Sequence, residues 1–288
     1  MAGVLDFERS EAASINEVVY FRTADGYEIS TACATEPVTW ICVSSQAGCV
    51  IGCPFCATTG KGFYRSLTGE EIAHQIAFVA GRQTAALKKI HFGGIGEPLM
   101  NLRGIADARR LTVAADVPGV LPTTLWEVTT SAYAPAKLPD LFAQDWWSTI
   151  SVSLHSCIPE LREELIPRAK PLGQLREQLL ALPPEQERRL VFNYLLLSGI
   201  NDDDANLRAL IEFLEPFSPH HVLLMRVADV GRGFWTDEDR LEEFALALEE
   251  RRAPVELATP SRHQKIGGCG TLKVEAHQPQ KSLTVVSA

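Results

Sequence analysis

Residues 48–56 read Gly48-Cys49-Val50-Ile51-Gly52-Cys53-Pro54-Phe55-Cys56, and a β-rich run at 38–44 stands just ahead of them. Three thiols at CxxxCxxC spacing therefore fall in a loop that follows a strand. Thiolates are soft ligands suited to iron–sulfur clusters or zinc. Three is an odd number for a tetrahedral structural zinc site, and no Cys or His two to four residues away supplies a fourth. A cubane cluster with three protein ligands instead keeps one iron open to a substrate or cofactor. A zinc site completed by a distant residue, and a chance grouping of cysteines, are the competing readings.

Working outward, further β-rich runs stand at 89–93, 125–130, 149–154, 190–197 and 222–227, separated by stretches with helical spacing. That makes six βα-like units, hence a parallel sheet and an open or partial barrel rather than an eightfold one. Helices are expected around 102–115, 158–165, 172–182, 203–214 and 236–250. Another starts at Thr68, where Glu71 completes a capping box and Leu67 can staple onto Ile72. Residues 18–34 predict a hairpin turning at Asp25-Gly26. The expected organisation is α/β: a lead-in and hairpin over 1–36, with 1–15 a polar lead-in, a partial (βα)6 barrel over 37–273, and a loose tail over 274–288. Chemistry in such barrels sits on loops after the strands' C-terminal ends.

The chain has 288 residues, a net charge of −9, 46% apolar residues and seven cysteines. This composition excludes a largely disordered chain, and no apolar run reaches 18 residues, so no membrane partner is expected. The first residues lack the basic flank and apolar stretch of a secretory signal. An odd cysteine count in that context points to reduced thiols in the cytoplasm. The acidic balance lacks the basic footprint usual for nucleic-acid binders. Basic patches such as Lys61 with Arg65, or Arg162, Arg168 and Lys170, still offer a substrate-facing surface.

The cysteine spacing with Phe55 before the third thiol, placed after the first barrel strand, resembles the radical SAM superfamily. The stretch 42–49, then Phe55-Cys56-Ala57-Thr58, Gly62-Phe63, Arg65 and Leu67-Thr68, is more specifically similar to the RlmN/Cfr family of adenine C-methyltransferases. Gly94 through Asn101, Ser153-Leu154-His155 and Cys269-Gly270-Thr271-Leu272 follow in the family's order. The resemblance runs from about residue 16 to 273.

The resemblance implies a 4Fe-4S cluster on Cys49, Cys53 and Cys56, two S-adenosyl-L-methionine molecules per turnover, and an external electron donor such as flavodoxin or ferredoxin. It implies that Cys269 carries a methyl group and that Cys42 resolves the protein–base adduct by accepting a proton and then forming a disulfide. Glycines around Cys269 suit a loop needing close backbone approach. Cofactor contacts are implied at Gly96 and Glu97, at Ser131, and at Ser153 and His155. Glu28, with a one-residue gap allowed, matches a family glutamate near the adenine. Cys33 and Cys157 match no functional position and read as structural.

Two departures stand out. Family members place a helical RNA-binding domain before the barrel, whereas the match here begins almost at the first residue, so that domain is expected to be lacking. After the sixth strand, Arg226-Val227-Ala228-Asp229 stands where the family carries an asparagine. The expected substrate contains adenine: RNA by family default, or a small nucleoside, nucleotide or heteroaromatic metabolite as the alternative. A noncatalytic iron–sulfur or zinc protein is the reading from another class. A monomer is expected.

Overall fold

The computed structural model describes residues 4–34, 39–217, 221–251, 254–259, 262 and 264–273. The expected tail over 274–288 lies outside them. Three antiparallel strands come first: β1 (Leu5–Ala13), β2 (Asn16–Thr23) and β3 (Glu28–Ala34). The predicted hairpin is β2–β3, turning through Gly26 at φ +90°, a left-handed conformation that suits glycine. The polar lead-in is corrected to a strand. β1 reads as polar because it is the sheet's edge, with only Leu5 fully buried, and edge strands keep charged residues.

β4 (Trp40–Cys42) pairs antiparallel with β3 and starts the parallel series. β5 (Gln46–Gly48) and β6 (Phe63–Ser66) form a separate two-stranded ribbon that brackets the cysteine loop. The series continues with β7 (Lys89–Phe92), β8 (Leu125–Thr130), β9 (Thr149–Ser153), β10 (Leu190–Leu196), β11 (His221–Arg226) and the unexpected β12 (Val255–Leu257). Among the described residues β1–β4 and β7–β12 make one ten-stranded sheet, ordered as in the chain.

The expected helices form as Gly69–Ala80, Leu102–Ala114, Pro159–Leu165, Leu172–Leu180, Asp204–Leu214 and Glu238–Glu250. Thr68 and Glu71 make both bonds of the capping box, and Leu67 and Ile72 are buried together. Leu138–Phe142 and Pro184–Glu187 are additional short helices, with too few turns to show a period.

Strand alternation divides the sheet into two faces. One carries Ile41, Ile90, Phe92, Val128, Ile150, Val152, Phe192 and Tyr194 into the main core beneath the helices. Each such side chain contributes about 1.5–3 kcal/mol by leaving water. The other face carries Cys42, Lys89, His91, Glu127, Thr129, Ser151, Ser153 and Asn193. This polar strip, on the face turned from the main core, is where a site is built.

Candidate active site

The cysteine loop is held from several sides. Gly48 adopts φ +81°, and a Cβ there would meet the Gly62 carbonyl oxygen at 2.1 Å, so only glycine fits. The Cys49 N–H donates to that same carbonyl at 3.0 Å, and the Cys53 carbonyl accepts from the Cys56 N–H at 3.0 Å and from Thr59 Oγ1 at 2.6 Å. The Ala57 N–H donates to the Gly270 carbonyl at 2.7 Å and Thr58 Oγ1 to the Leu272 carbonyl at 2.9 Å, which ties the loop to the segment bearing Cys269.

Burial pushes the Cys49 thiol up to about 12 and Cys53 well above its usual range, and neighbouring cysteines of the trio add to both. Cys49 and Cys53 thus need a positive centre to become thiolates, which fits a cluster bound by soft ligands. Among the described residues no three His, Cys, Asp or Glu side chains are gathered as for one metal ion.

A cavity of about 180 Å³ opens beside the loop, lined by Cys42, Cys56, Lys89, His91, Arg262 and Cys269, among others. It therefore brings together the two cysteines singled out beyond the trio. Cys269 is exposed, and its N–H donates to the Arg262 carbonyl at 2.8 Å. A Cβ on Gly268 would lie 2.3 Å from the Gln264 carbonyl oxygen, so close backbone approach is what this glycine provides. Burial pushes the Cys42 thiol up to about 12, Cys269 adds to the rise, and Arg262 and the Gly93 N–H oppose it. Cys33 and Cys157 are buried away from the cavity lining.

Sequence reasoning missed Arg262 and the group Lys89, His91 and Glu127. Arg262 keeps its charge against burial because Cys269, Glu127 and Cys42 face it. Lys89 Nζ lies 3.1 Å from Glu127 Oε1. His91 Nδ1 stands 3.5 Å from Glu127 Oε2, and its Nε2 lies 3.1 Å from Thr129 Oγ1. Burial pushes His91 below its usual range, against the opposing pull of Glu127. Burial would raise Glu127, but His91 and Lys89 outweigh it and hold the carboxyl at about 2. The available signal was polar residues alternating with apolar ones in Lys89-Ile90-His91-Phe92.

The loops after β7, β8 and β9 converge as expected. Gly96 takes φ +117°, and a Cβ there would strike Gln46 Cγ at 2.7 Å. Glu97 is buried and its acceptor positions are filled: Oε1 by the Leu99 N–H at 3.1 Å and the Thr130 hydroxyl, Oε2 by the Ser131 N–H at 2.9 Å and hydroxyl at 2.6 Å. An ammonium group would reach Glu97 only where one of those hydroxyls turns away.

Ser153 is buried at the end of β9. His155 adopts φ +57°, a strained backbone for histidine, with its ring 5.3 Å from that of Phe55. Burial and then Arg162 hold it down to about 3, so the ring is neutral. With Nδ1 accepting from the Leu195 N–H, its proton sits on Nε2. Glu28 lies elsewhere: Arg9 Nη1 donates to it at 2.6 Å, and it is not among the cavity-lining residues.

Residues 43–211 match the model of the Radical SAM superfamily. The chain is similar to a probable dual-specificity RNA methyltransferase RlmN of Synechocystis, 32% identical over 91% of this chain and 75% of the relative. A probable RNA methyltransferase of Rhodopseudomonas palustris is 34% identical over 89% and 71%. Among solved structures, a radical SAM methyltransferase from Sphaerobacter thermophilus superposes with a TM-score of 0.83 at 28% identity, covering 93% of this chain and 81% of that one. Streptococcus suis SuiB bound to S-adenosylmethionine, at 13% identity, covers 77% and 51% with a TM-score of 0.53 and shares the fold. With the cysteine loop, the open barrel and these likenesses in agreement, the chain belongs to the radical SAM superfamily and, within it, to the RlmN family of methyltransferases, whose cofactors are a 4Fe-4S cluster and S-adenosyl-L-methionine.

Proposed function

We propose that the enzyme methylates an sp2 ring carbon of adenine in RNA, passing the carbon through Cys269. The observation that carries this reading is the single cavity lined by Cys42, Cys269 and the cluster-loop residue Cys56. The two relatives named above are called RNA methyltransferases, which supports RNA as the substrate. When bound, the cluster and S-adenosyl-L-methionine supply a transferable methyl group and a radical able to take a hydrogen atom.

Cys49, Cys53 and Cys56 hold the cluster, and Gly96, Glu97, Ser131, Ser153 and His155 surround the cofactor. Cys269 first takes a methyl group on its sulfur. After losing a hydrogen atom, that carbon bonds to the ring carbon, leaving base and protein joined through a methylene. The adduct gives up an electron, for which the bound cluster would be the acceptor, and Cys42 takes the ring proton. A thiol held as high as Cys42 is a strong base once ionised, which suits it to this role. The Cys42 sulfur then bonds to that of Cys269 as the sulfur–carbon bond breaks. The departing carbon keeps the electron pair, takes the proton that Cys42 gives up as its sulfur forms the disulfide, and becomes the product methyl. An external electron donor reduces the disulfide.

Replacing Cys42 by Ala tests the sequence of events, because resolution then stalls. Reconstituted Cys42→Ala protein, turned over in extract and treated with nuclease, is expected to carry a nucleotide on the peptide containing Cys269. Attachment of a free nucleoside in place of an RNA-derived nucleotide would move the substrate to a small molecule. An unmodified peptide from turnover-competent protein would refute the covalent route.

A further inference from the structure

Arg162 is a buried cation without a carboxylate. It is 3% exposed, and among the described residues no Asp or Glu lies within ion-pair distance of it. Its Nη2 donates to the Ser131 and Ser153 carbonyls at 3.2 Å each, its Nη1 reaches the Lys170 carbonyl at 3.4 Å, and its buried Nε has no partner. An uncompensated buried charge costs several kcal/mol, and burial pulls this guanidinium down to about 10. Three carbonyl dipoles do not cancel a full charge.

The missing counter-charge has a place. Arg162 rides on the helix Pro159–Leu165, whose Leu161 and Leu165, with Ile166 just beyond, pack in one apolar cluster with Ile51, Cys49, Cys53 and Phe55 of the cysteine loop. Ser131 and Ser153, whose carbonyls it holds, close the loops after β8 and β9 beside that cluster. Arg162 is in electrostatic reach of the buried Cys157 thiol first and then of Cys53, and it also acts on His155. Three thiolates outweigh the dication core of a 4Fe-4S cluster, so the assembly is anionic and an added electron makes it more so. Net local charge is one of the protein's levers on cluster potential.

We infer that Arg162 is the fixed counter-charge of the cysteine loop, a positioning residue that favours the reduced state of the cluster and fastens the two cofactor loops beneath it. The inference rests on the cysteine trio holding that cluster. It concerns the entry of one electron from a low-potential reductant, before any methyl transfer.

The test is a redox titration with dithionite, followed by electron paramagnetic resonance, on reconstituted wild type, Arg162→Lys and Arg162→Gln. Arg162→Gln is expected to shift the equilibrium about tenfold toward the oxidised state, about 59 mV for one electron. Arg162→Lys, which keeps the charge, is expected to stay within about threefold of the wild type. Equal potentials in all three proteins, or a lysine variant displaced as far as the glutamine one, would overturn the proposal. Should Arg162→Gln take up no cluster, the apoproteins decide: a wild-type melting temperature supports the counter-charge, and an unfolded apoprotein overturns it. Methyl transfer is not read here, so absence of methylation on Cys269 would refute the proposed reaction and leave this inference standing. Zinc in place of iron, found by metal analysis before titration, would remove the ground for both.

Discussion

Replacing Gln75 by Leu removes an amide that stands in for a strand. Gln75 lies fully buried on the helix Gly69–Ala80. Its Oε1 accepts from the Ser44 N–H at 3.0 Å and from Thr31 Oγ1 at 2.7 Å, while Nε2 donates to the Ser44 carbonyl at 3.1 Å. Both main-chain groups of Ser44, two residues beyond β4, are thus paired by one side chain as a neighbouring strand would pair them. Leucine keeps the volume and the helix but leaves these two groups unpaired, at about 1–3 kcal/mol each. The Thr31 hydroxyl can rotate to another acceptor, so the expected loss is about 4 kcal/mol, a large part of the 5–15 kcal/mol that holds a typical domain folded. Urea unfolding of the apoprotein, followed by tryptophan fluorescence, should show a lower midpoint with an unchanged slope. Ser44 Oγ also joins the Ser30 carbonyl to the Ile95 N–H, so the damage reaches the approach to Cys42. A loss below about 1 kcal/mol would mean water or a shifted backbone pairs Ser44, and would refute the reasoning.

Other perturbations separate the parts of the site. Glu127 is held at about 2, below the 4.5 of a free carboxyl, so its contribution is complete above pH 4.5 and lost as pH falls toward 2. The stability gap between wild type and Glu127→Gln should therefore be widest near pH 6, about 3 kcal/mol at most, and close on acidification. A gap independent of pH in chemical denaturation would contradict the Lys89 and His91 pairing. Gly48 and Gly52 share φ +81°, yet only at Gly48 would a Cβ strike backbone. Gly48→Ala should abolish most iron uptake on reconstitution while Gly52→Ala loses about 1 kcal/mol and keeps its iron; equal iron contents would show that the Gly62 contact is not needed.

What could be read from the sequence was local in the chain. The six parallel strands followed from β-rich runs, the capping box from two residues three apart, and the cysteine trio from spacing within one loop. β1 escaped notice because an edge strand has a polar exposed face, and β12 because three residues show no alternation. The cavity's other residues depend on long closures. Arg262 stands 220 residues beyond Cys42 and reaches it only in the folded cavity, and the Lys89–Glu127 contact spans 38 residues. Glu97 was legible as a site residue, but the saturation of its oxygens by Thr130 and Ser131 was not, because it needs the register of β7 against β8.

The bond from Thr58 to the Leu272 carbonyl joins groups 214 residues apart. At a synthesis rate of 5–20 residues per second, about 10–40 s separate the emergence of the two ends. Throughout that interval the cysteine loop lacks the cover that the Cys269 segment later gives it. Folding thus sets a clock for maturation: metal delivered during translation meets a free loop, and metal delivered afterwards meets one already tied to the segment that carries the reactive thiol.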